Sequence, residues 1–99
     1  MKVKVQSIHF DADEKLISFI EDKVVKLRQF YDHITDSEVF LRIEKNDSHQ
    51  NKVAEIKINT PGKTLFAKEQ CKTFEEATDS AVEAIRRQMT KHKEKVKKL

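Results

Sequence analysis

Hydrophobic and polar residues alternate in four segments of the chain, a pattern that is typical of β-strands with one buried face. The four segments are 2–8, 37–44, 52–60 and 63–71. In the first of them Val3 and Val5 alternate with lysines. Pro61 and Gly62 predict a tight turn, because proline fixes φ and glycine accepts positive φ. The polar segment 46–51 is predicted to be a loop.

Two other segments repeat their hydrophobic residues at the three- and four-residue spacing of an amphipathic helix. These predicted helices cover 13–31 and 73–97. Asp11 and Glu14 resemble a capping box that opens the first helix, with aspartate in place of the usual serine or threonine. Thr73 and Glu76 form a capping box of the usual kind at the start of the second.

The predicted element order is β-α-β-β-β-α. A strand–helix–strand connection is usually right-handed and leaves its two strands parallel, whereas hairpins join the later strands. Both helices then cover the same face of a four-stranded sheet. We therefore expect an α+β fold in two layers. The 99 residues predict a single domain over 1–99, since a chain of this length buries one modest core.

Charge is distributed unevenly along the chain. The segment 86–99 contains seven basic residues and one acidic residue, although the whole chain has a net charge of only +3. The basic residues follow two edges of the second helix, one with Arg87, Lys91, Lys95 and Lys98 and the other with Arg86, Lys93 and Lys97. On the first helix Lys15, Lys23 and Lys26 share one flank with Phe19 and Phe30.

If the two helices pack side by side, these basic edges line a shared groove. Fixed rows of cations suit the phosphate rows of a folded RNA better than a mobile tail does, and they would read its shape and not its sequence. The alternative interpretation is a helix whose lysines only keep the protein hydrated.

The sequence does not favour an enzyme. The four histidines and Cys71 lie on separate predicted elements without metal-ligand spacing, and a single cysteine allows no internal disulfide. A single glycine excludes a glycine-rich phosphate loop. No stretch approaches the roughly 20 apolar residues that span a membrane, and the N-terminus does not resemble a signal peptide. We therefore expect a cytoplasmic, non-enzymatic protein without a metal or cofactor.

Three stretches of the chain are characteristic: RRQMTKHKEKVKK at 86–98, LRIEK at 41–45 and FIEDKVVKLRQFYDHI at 19–34. They resemble the corresponding stretches of ribosome hibernation promoting factors. The family's element order is the same, and its fold is similar to that of a double-stranded-RNA-binding domain. The resemblance extends over essentially the whole chain and is most specific in the TKHK run.

The resemblance implies that the protein binds the small ribosomal subunit in the channel used by messenger and transfer RNA. It would contact ribosomal RNA there and inhibit translation in stationary phase or stress. It is similar to the short form of the family. We therefore expect a monomer, when free, that acts on single ribosomes or needs a separate ribosome-pairing factor.

The RNA-binding residues that the resemblance implies lie on both helices and at the end of the second strand. They are Lys23, Lys26, Lys45, Arg87, Lys91, Lys93 and Lys95. Arg28 lies at a position where some relatives have an acidic residue. It would extend the row of basic residues on the first helix. Arg86 would replace the charge of a lysine that relatives often carry at the position of Ala84. Lys98 completes the stripe on the second helix.

Two other functions stay open at this point. One is a general binder of double-stranded RNA or DNA, for which binding to any duplex would fall steeply with salt. The other is a protein-interaction module that modulates a sigma factor. The second alternative requires a sizeable exposed apolar patch, for which Tyr31, Phe40 and Phe66 are the candidates.

Overall fold

A computed structural model describes residues 2–31, 33–44 and 50–97. For residues 92–97 only the backbone is described. The strands are β1 (Lys2–Ser7), β2 (Asp36–Ile43), β3 (Lys52–Thr60) and β4 (Lys63–Cys71). The helices are α1 (Glu14–Val25), a short 3₁₀ helix (Lys26–Gln29) and α2 (Phe74–Lys97). The order of the elements confirms the predicted β-α-β-β-β-α arrangement.

The four strands form one sheet in the order β1-β2-β3-β4. β1 runs parallel to β2, whereas β2, β3 and β4 are antiparallel neighbours, as predicted. The register aligns Val5, Val39, Ile56 and Ala67 in a row across all four strands. Because side chains alternate along a strand, this row and its neighbours two residues away point to the same face.

Both helices pack on that face and form the core with it. Ile20 and Val24 of α1 are fully buried. On α2 the buried positions follow one another at intervals of four residues: Ala77, Ala81, Ile85 and Met89. This spacing keeps a single stripe of the long helix against the sheet, and the small alanine side chains allow close approach to β3 and β4. The structure therefore has two layers, with the opposite face of the sheet free of helices.

The N-terminus of α1 differs from the prediction. Asp13, and not Asp11, is the residue that caps the helix, since its carboxylate accepts a hydrogen bond from the Leu16 N–H at 2.8 Å. This is the bond from a cap residue to the third residue of the helix, and it satisfies a donor that has no partner within the helix. At α2 the Thr73 hydroxyl accepts from the Glu76 N–H at 3.1 Å, which confirms the predicted cap.

The first α-helix ends at Val25, sooner than the predicted end at Tyr31. The chain then winds more tightly, in the 3₁₀ helix, and the Phe30 N–H donates to the Leu27 carbonyl at 3.0 Å. Residues three apart are eclipsed in a 3₁₀ helix. Phe30 is therefore brought beside the buried Leu27, on the side of the first helix that faces α2.

Candidate nucleic-acid interface

A groove with a volume of about 410 Å³ separates the first helix from α2. The first helix and its 3₁₀ extension contribute one wall, and four residues spaced along α2 contribute the other. The residues that line it are Lys23, Lys26, Leu27, Gln29, Phe30, Asp79, Val82, Glu83 and Arg86. The two helices thus form a shared groove that is open to solvent, but of the predicted basic edges of α2 only Arg86 lines it, together with two acidic residues.

The charges inside this interhelical groove are mixed. The Lys23 Nζ lies 3.3 Å from the Asp79 Oδ1, an ion pair that connects the two helices. The Arg86 Nη1 lies 3.2 Å from the Glu83 Oε1, one turn earlier on α2. Both pairs are largely exposed, so each contributes less than about 1 kcal/mol and exchanges partners easily. The groove therefore has three cations and two carboxylates, and its net charge is small.

Aromatic rings position two of these cations. The Arg86 guanidinium carbon lies 4.8 Å from the centroid of the Phe30 ring, across the groove. The Lys23 Nζ lies 5.4 Å from the centroid of the Phe19 ring on the same helix. Such cation–π contacts contribute about 0.5–1 kcal/mol at exposed sites. They favour the positions that the two cations take beside the rings.

A second group of cations lies outside the groove, along the outer edge of α2. Arg87 lines a shallower cleft with Glu69, Asp79, Ser80 and Glu83, on the side of β4. Lys91 follows one turn later and is exposed. On the first helix Arg28 is also exposed and does not line the groove. Within the described part of the chain, no ion pair joins Lys26, Arg28, Arg87 or Lys91 to a carboxylate.

The structure thus brings together three of the predicted residues, Lys23, Lys26 and Arg86, and places Arg87 and Lys91 on the adjoining edge of α2. Lys93 and Lys95 belong to the helical backbone of α2, and their side chains are outside the described residues. Lys45 and Lys98 also lie outside the described residues.

Sequence reasoning missed the acidic residues of the groove, Asp79 and Glu83. Their spacing contained the signal, because Asp79, Glu83 and Arg86 or Arg87 are separated by three or four residues and therefore share one side of a helix. The prediction for the second helix rested on its basic residues alone.

The described residues contain no group of side chains typical of a metal site. Nowhere in 2–31, 33–44 and 50–97 do three or more His, Cys, Asp or Glu side chains form a group that could hold a metal ion. The half-buried Cys71 has its Sγ 3.9 Å from the Ser80 Oγ. Among the helices described, none has the length and hydrophobicity to cross a bilayer.

The three aromatic candidates for an apolar docking patch are separated in space. Phe40 and Phe66 lie on the helix-free face of the sheet, but β3 runs between them, and the register puts Glu55 opposite Phe40 and Lys57 opposite Phe66. Tyr31 packs against the core beside the helices. Because charged side chains interrupt the face between the two phenylalanines, they do not form one continuous apolar surface.

Comparison with known proteins places this chain in a family. The model of the family described as Sigma 54 modulation protein / S30EA ribosomal protein matches residues 3–97. A relative from Pseudomonas putida, named ribosome hibernation promoting factor, is 28% identical over 99 residues, which cover 100% of this chain and 93% of the relative.

Two solved structures share the fold. A ribosomal subunit interface protein from Coxiella burnetii superposes with a TM-score of 0.84 at 19% identity, covering 94% of this chain and 98% of that one. The N-terminal domain of Thermus thermophilus Protein Y gives a TM-score of 0.79 at 20% identity, covering 93% and 99%. These comparisons confirm the resemblance seen in the sequence. The chain belongs to the Sigma 54 modulation protein / S30EA ribosomal protein family.

Proposed function

We propose that this protein is a ribosome hibernation factor, which binds the small ribosomal subunit through ribosomal RNA and inhibits translation in stationary phase or stress. The observation that carries the proposal is the surface formed by both helices, where Lys23, Lys26 and Arg86 line one groove and Arg87 and Lys91 border it. The family and the name of the Pseudomonas putida relative support the ribosome as the partner.

The packing of the helices gives this surface a fixed geometry. Lys23 and Lys26 lie beside the fully buried Val24 and Leu27, and Arg86 follows the fully buried Ile85. The positions of the cations are therefore set by the core, which keeps the cost of ordering them on binding low. We expect the cations that have no ion pair in the described chain, Lys26, Arg87 and Lys91, to contact phosphates. Such contacts recognise the shape of a folded RNA without reading its sequence.

The same surface defines the proposed mechanism. The protein would act in the cytoplasm as one ribosome-binding domain that occupies the channel of messenger and transfer RNA, and translation would stop because the channel is filled. This mechanism needs no catalytic group and no cofactor. The proposed contacts also include Arg28, Lys45, Lys93, Lys95 and Lys98.

Sedimentation with separated ribosomal subunits tests this proposal. The protein is expected to co-sediment with the small subunit, and a variant with K23E, K26E, R87E and K91E is expected to lose this binding while its circular dichroism stays unchanged. The matched control carries K2E, K4E, K57E and K68E, which change the net charge equally on the helix-free face. This control variant is expected to bind like the wild type.

The other outcomes separate the alternatives. Equal binding to both subunits would show a general RNA binder. Loss of binding in both variants would show that net charge, and not the helical surface, is responsible. Absence of binding to either subunit by the wild type would contradict the proposal and favour a protein partner. In all cases the inhibition of translation is measured in a cell-free system with the same variants.

A further inference from the structure

The near-neutral charge of the interhelical groove makes it a poor site for a phosphate. Two of its three cations already have carboxylate partners within the groove, Lys23 with Asp79 and Arg86 with Glu83. A phosphate placed between the helices would lie close to both carboxylates and would be repelled by them. The electrostatics of the groove therefore suit a neutral polar group better, and leave phosphates to the cations at its border.

The groove also presents an aromatic ring where a flat group could enter. Phe30 is 40% exposed, although most large hydrophobic side chains of the described chain are buried. The 3₁₀ helix turns its ring toward α2, where the Arg86 guanidinium lies 4.8 Å from the ring centroid. Unpaired RNA bases are recognised by stacking on aromatic rings and on arginine planes. The Arg86 guanidinium lies over the Phe30 ring, so the pair brings both kinds of stacking surface to one place in the groove.

The polar side chains around this pair can form hydrogen bonds with the edge of a base. Carboxylates accept hydrogen bonds, and each retains accepting capacity when one oxygen is engaged by a cation. The side chains of Asp79 and Glu83 can therefore accept from the exocyclic amino group of a base. Lys26, which has no ion pair among the described residues, lies at the same groove and suits the phosphate attached to that base.

We propose that the groove between the first helix and α2 binds a single unpaired, amino-bearing nucleobase, stacked against the Phe30–Arg86 pair. This inference rests on the proposed function, because it names the part of the RNA that enters the same surface. It adds to shape recognition a contact that a fully paired duplex cannot make. Phe30 and Arg86 would thus distinguish a duplex with a bulged or flipped-out base from a regular one.

The first test uses a short RNA hairpin with one bulged 2-aminopurine, a fluorescent amino-bearing base that is quenched when it stacks. The wild-type protein is expected to quench it at low salt, and Phe30→Leu is expected to abolish the quenching. Phe66→Leu is the matched control, because Phe66 is 50% exposed on the helix-free face. Absence of quenching by the wild type, or equal quenching by Phe30→Leu, would overturn the inference even if the hairpin is bound.

The second test separates this inference from the proposed function by measuring binding to small subunits over a series of KCl concentrations. Phe30→Leu and Arg86→Lys are expected to weaken binding about tenfold at every concentration, since stacking is lost while the charge is kept. Lys26→Gln is expected instead to reduce the salt slope by roughly 0.7–0.9, the value of one phosphate contact. Wild-type affinity in the Phe30→Leu and Arg86→Lys variants would overturn the base site. Failure of the wild type to bind small subunits would overturn the proposed function, and the hairpin would then decide the base site independently.

Discussion

Two aspartates precede α1, but only Asp13 caps the helix. The Asp13 carboxylate accepts from the Leu16 N–H at 2.8 Å, whereas Asp11 makes no such bond within the described chain. Asp13→Ala is therefore expected to lower the free energy of unfolding by about 1 kcal/mol, the usual loss on removing a helix cap. Asp11→Ala is the control and should change it by less than about 0.5 kcal/mol. Urea unfolding of both variants measures the difference, and equal losses would contradict the assignment of the cap.

The side-chain oxygen of Thr78 lies in an unfavourable environment, because it is buried away from water. Thr78 belongs to α2 and its side chain is fully buried. Among the described residues its hydroxyl has no hydrogen-bond partner. Thr78→Val keeps the shape and removes the hydroxyl, so we expect the free energy of unfolding to rise by about 1 kcal/mol.

Thr90→Val provides the control for this substitution on the same helix. The Thr90 hydroxyl is exposed and donates to the Arg86 carbonyl at 3.1 Å. A hydroxyl bonded to the carbonyl four residues earlier does not stabilise a helix, so its replacement should change stability little. Thermal and urea unfolding of the two variants can be compared directly. A loss of stability in Thr78→Val would show that its hydroxyl has a partner in solution.

At the scale of elements, α2 protects the edge strand β4. The Gln88 Nε2 donates to the Phe66 carbonyl at 2.8 Å, and β4 has no further strand beyond it in the described sheet. Gln88→Met keeps the length of the side chain and removes the donor. We expect it to lower the free energy of unfolding by about 1 kcal/mol, the net contribution of a typical hydrogen bond. It should also increase self-association, because an uncovered edge carbonyl invites strand pairing between molecules.

Gln29→Met is the matched control for this prediction, since Gln29 is exposed at the end of the 3₁₀ helix. Unfolding in urea gives the stability, and sedimentation velocity at rising protein concentration gives the self-association. A Gln88→Met variant that remains monomeric and as stable as Gln29→Met would show that the contact to Phe66 does not protect the edge.

The strands and their arrangement could be predicted from the sequence because alternation directly records which face is buried. Val39 and Leu41 are both fully buried, as their spacing required. The strand ends differ from the prediction by one residue at β1, which ends at Ser7, and at both ends of β2, which spans Asp36–Ile43. The two layers then followed from the connection rules for sheets.

The end of the first helix could not be predicted in the same way. The residues of the 3₁₀ helix, KLRQ, include good helix formers and no glycine or proline, so propensity favours continuing the α-helix. The tighter winding depends on tertiary packing, which holds Leu27 in the core with Phe30 beside it. For the same reason the Phe30–Arg86 pair was not visible in the sequence, since it joins residues 56 positions apart.

At the scale of the whole molecule, ion pairs distinguish charged residues on the two faces of the sheet. On the helix-free face Arg42 pairs with Glu55 on the neighbouring strand and with Glu44 at 3.3 Å, so that part of the face is internally neutralised. On the helical side Lys26, Arg87 and Lys91 have no ion pair within the described chain. A polyanion can therefore bind Lys26, Arg87 and Lys91 on the helical side without breaking an ion pair of the described chain.

The dependence of binding on salt tests this asymmetry, because each phosphate contact adds roughly 0.7–0.9 to the slope of log K against log salt. Replacing Lys91, Lys93, Lys95 and Lys98 by glutamine keeps the helix propensity similar and is expected to reduce the slope by roughly 3 if all four contact phosphates. Glutamine at Lys2, Lys4, Lys57 and Lys68 is the control with the same change in net charge. It should leave the slope for small subunits unchanged. Equal reductions in the two variants would show that the protein is attracted by its net charge alone, because contacts made by the helical side affect only the first variant.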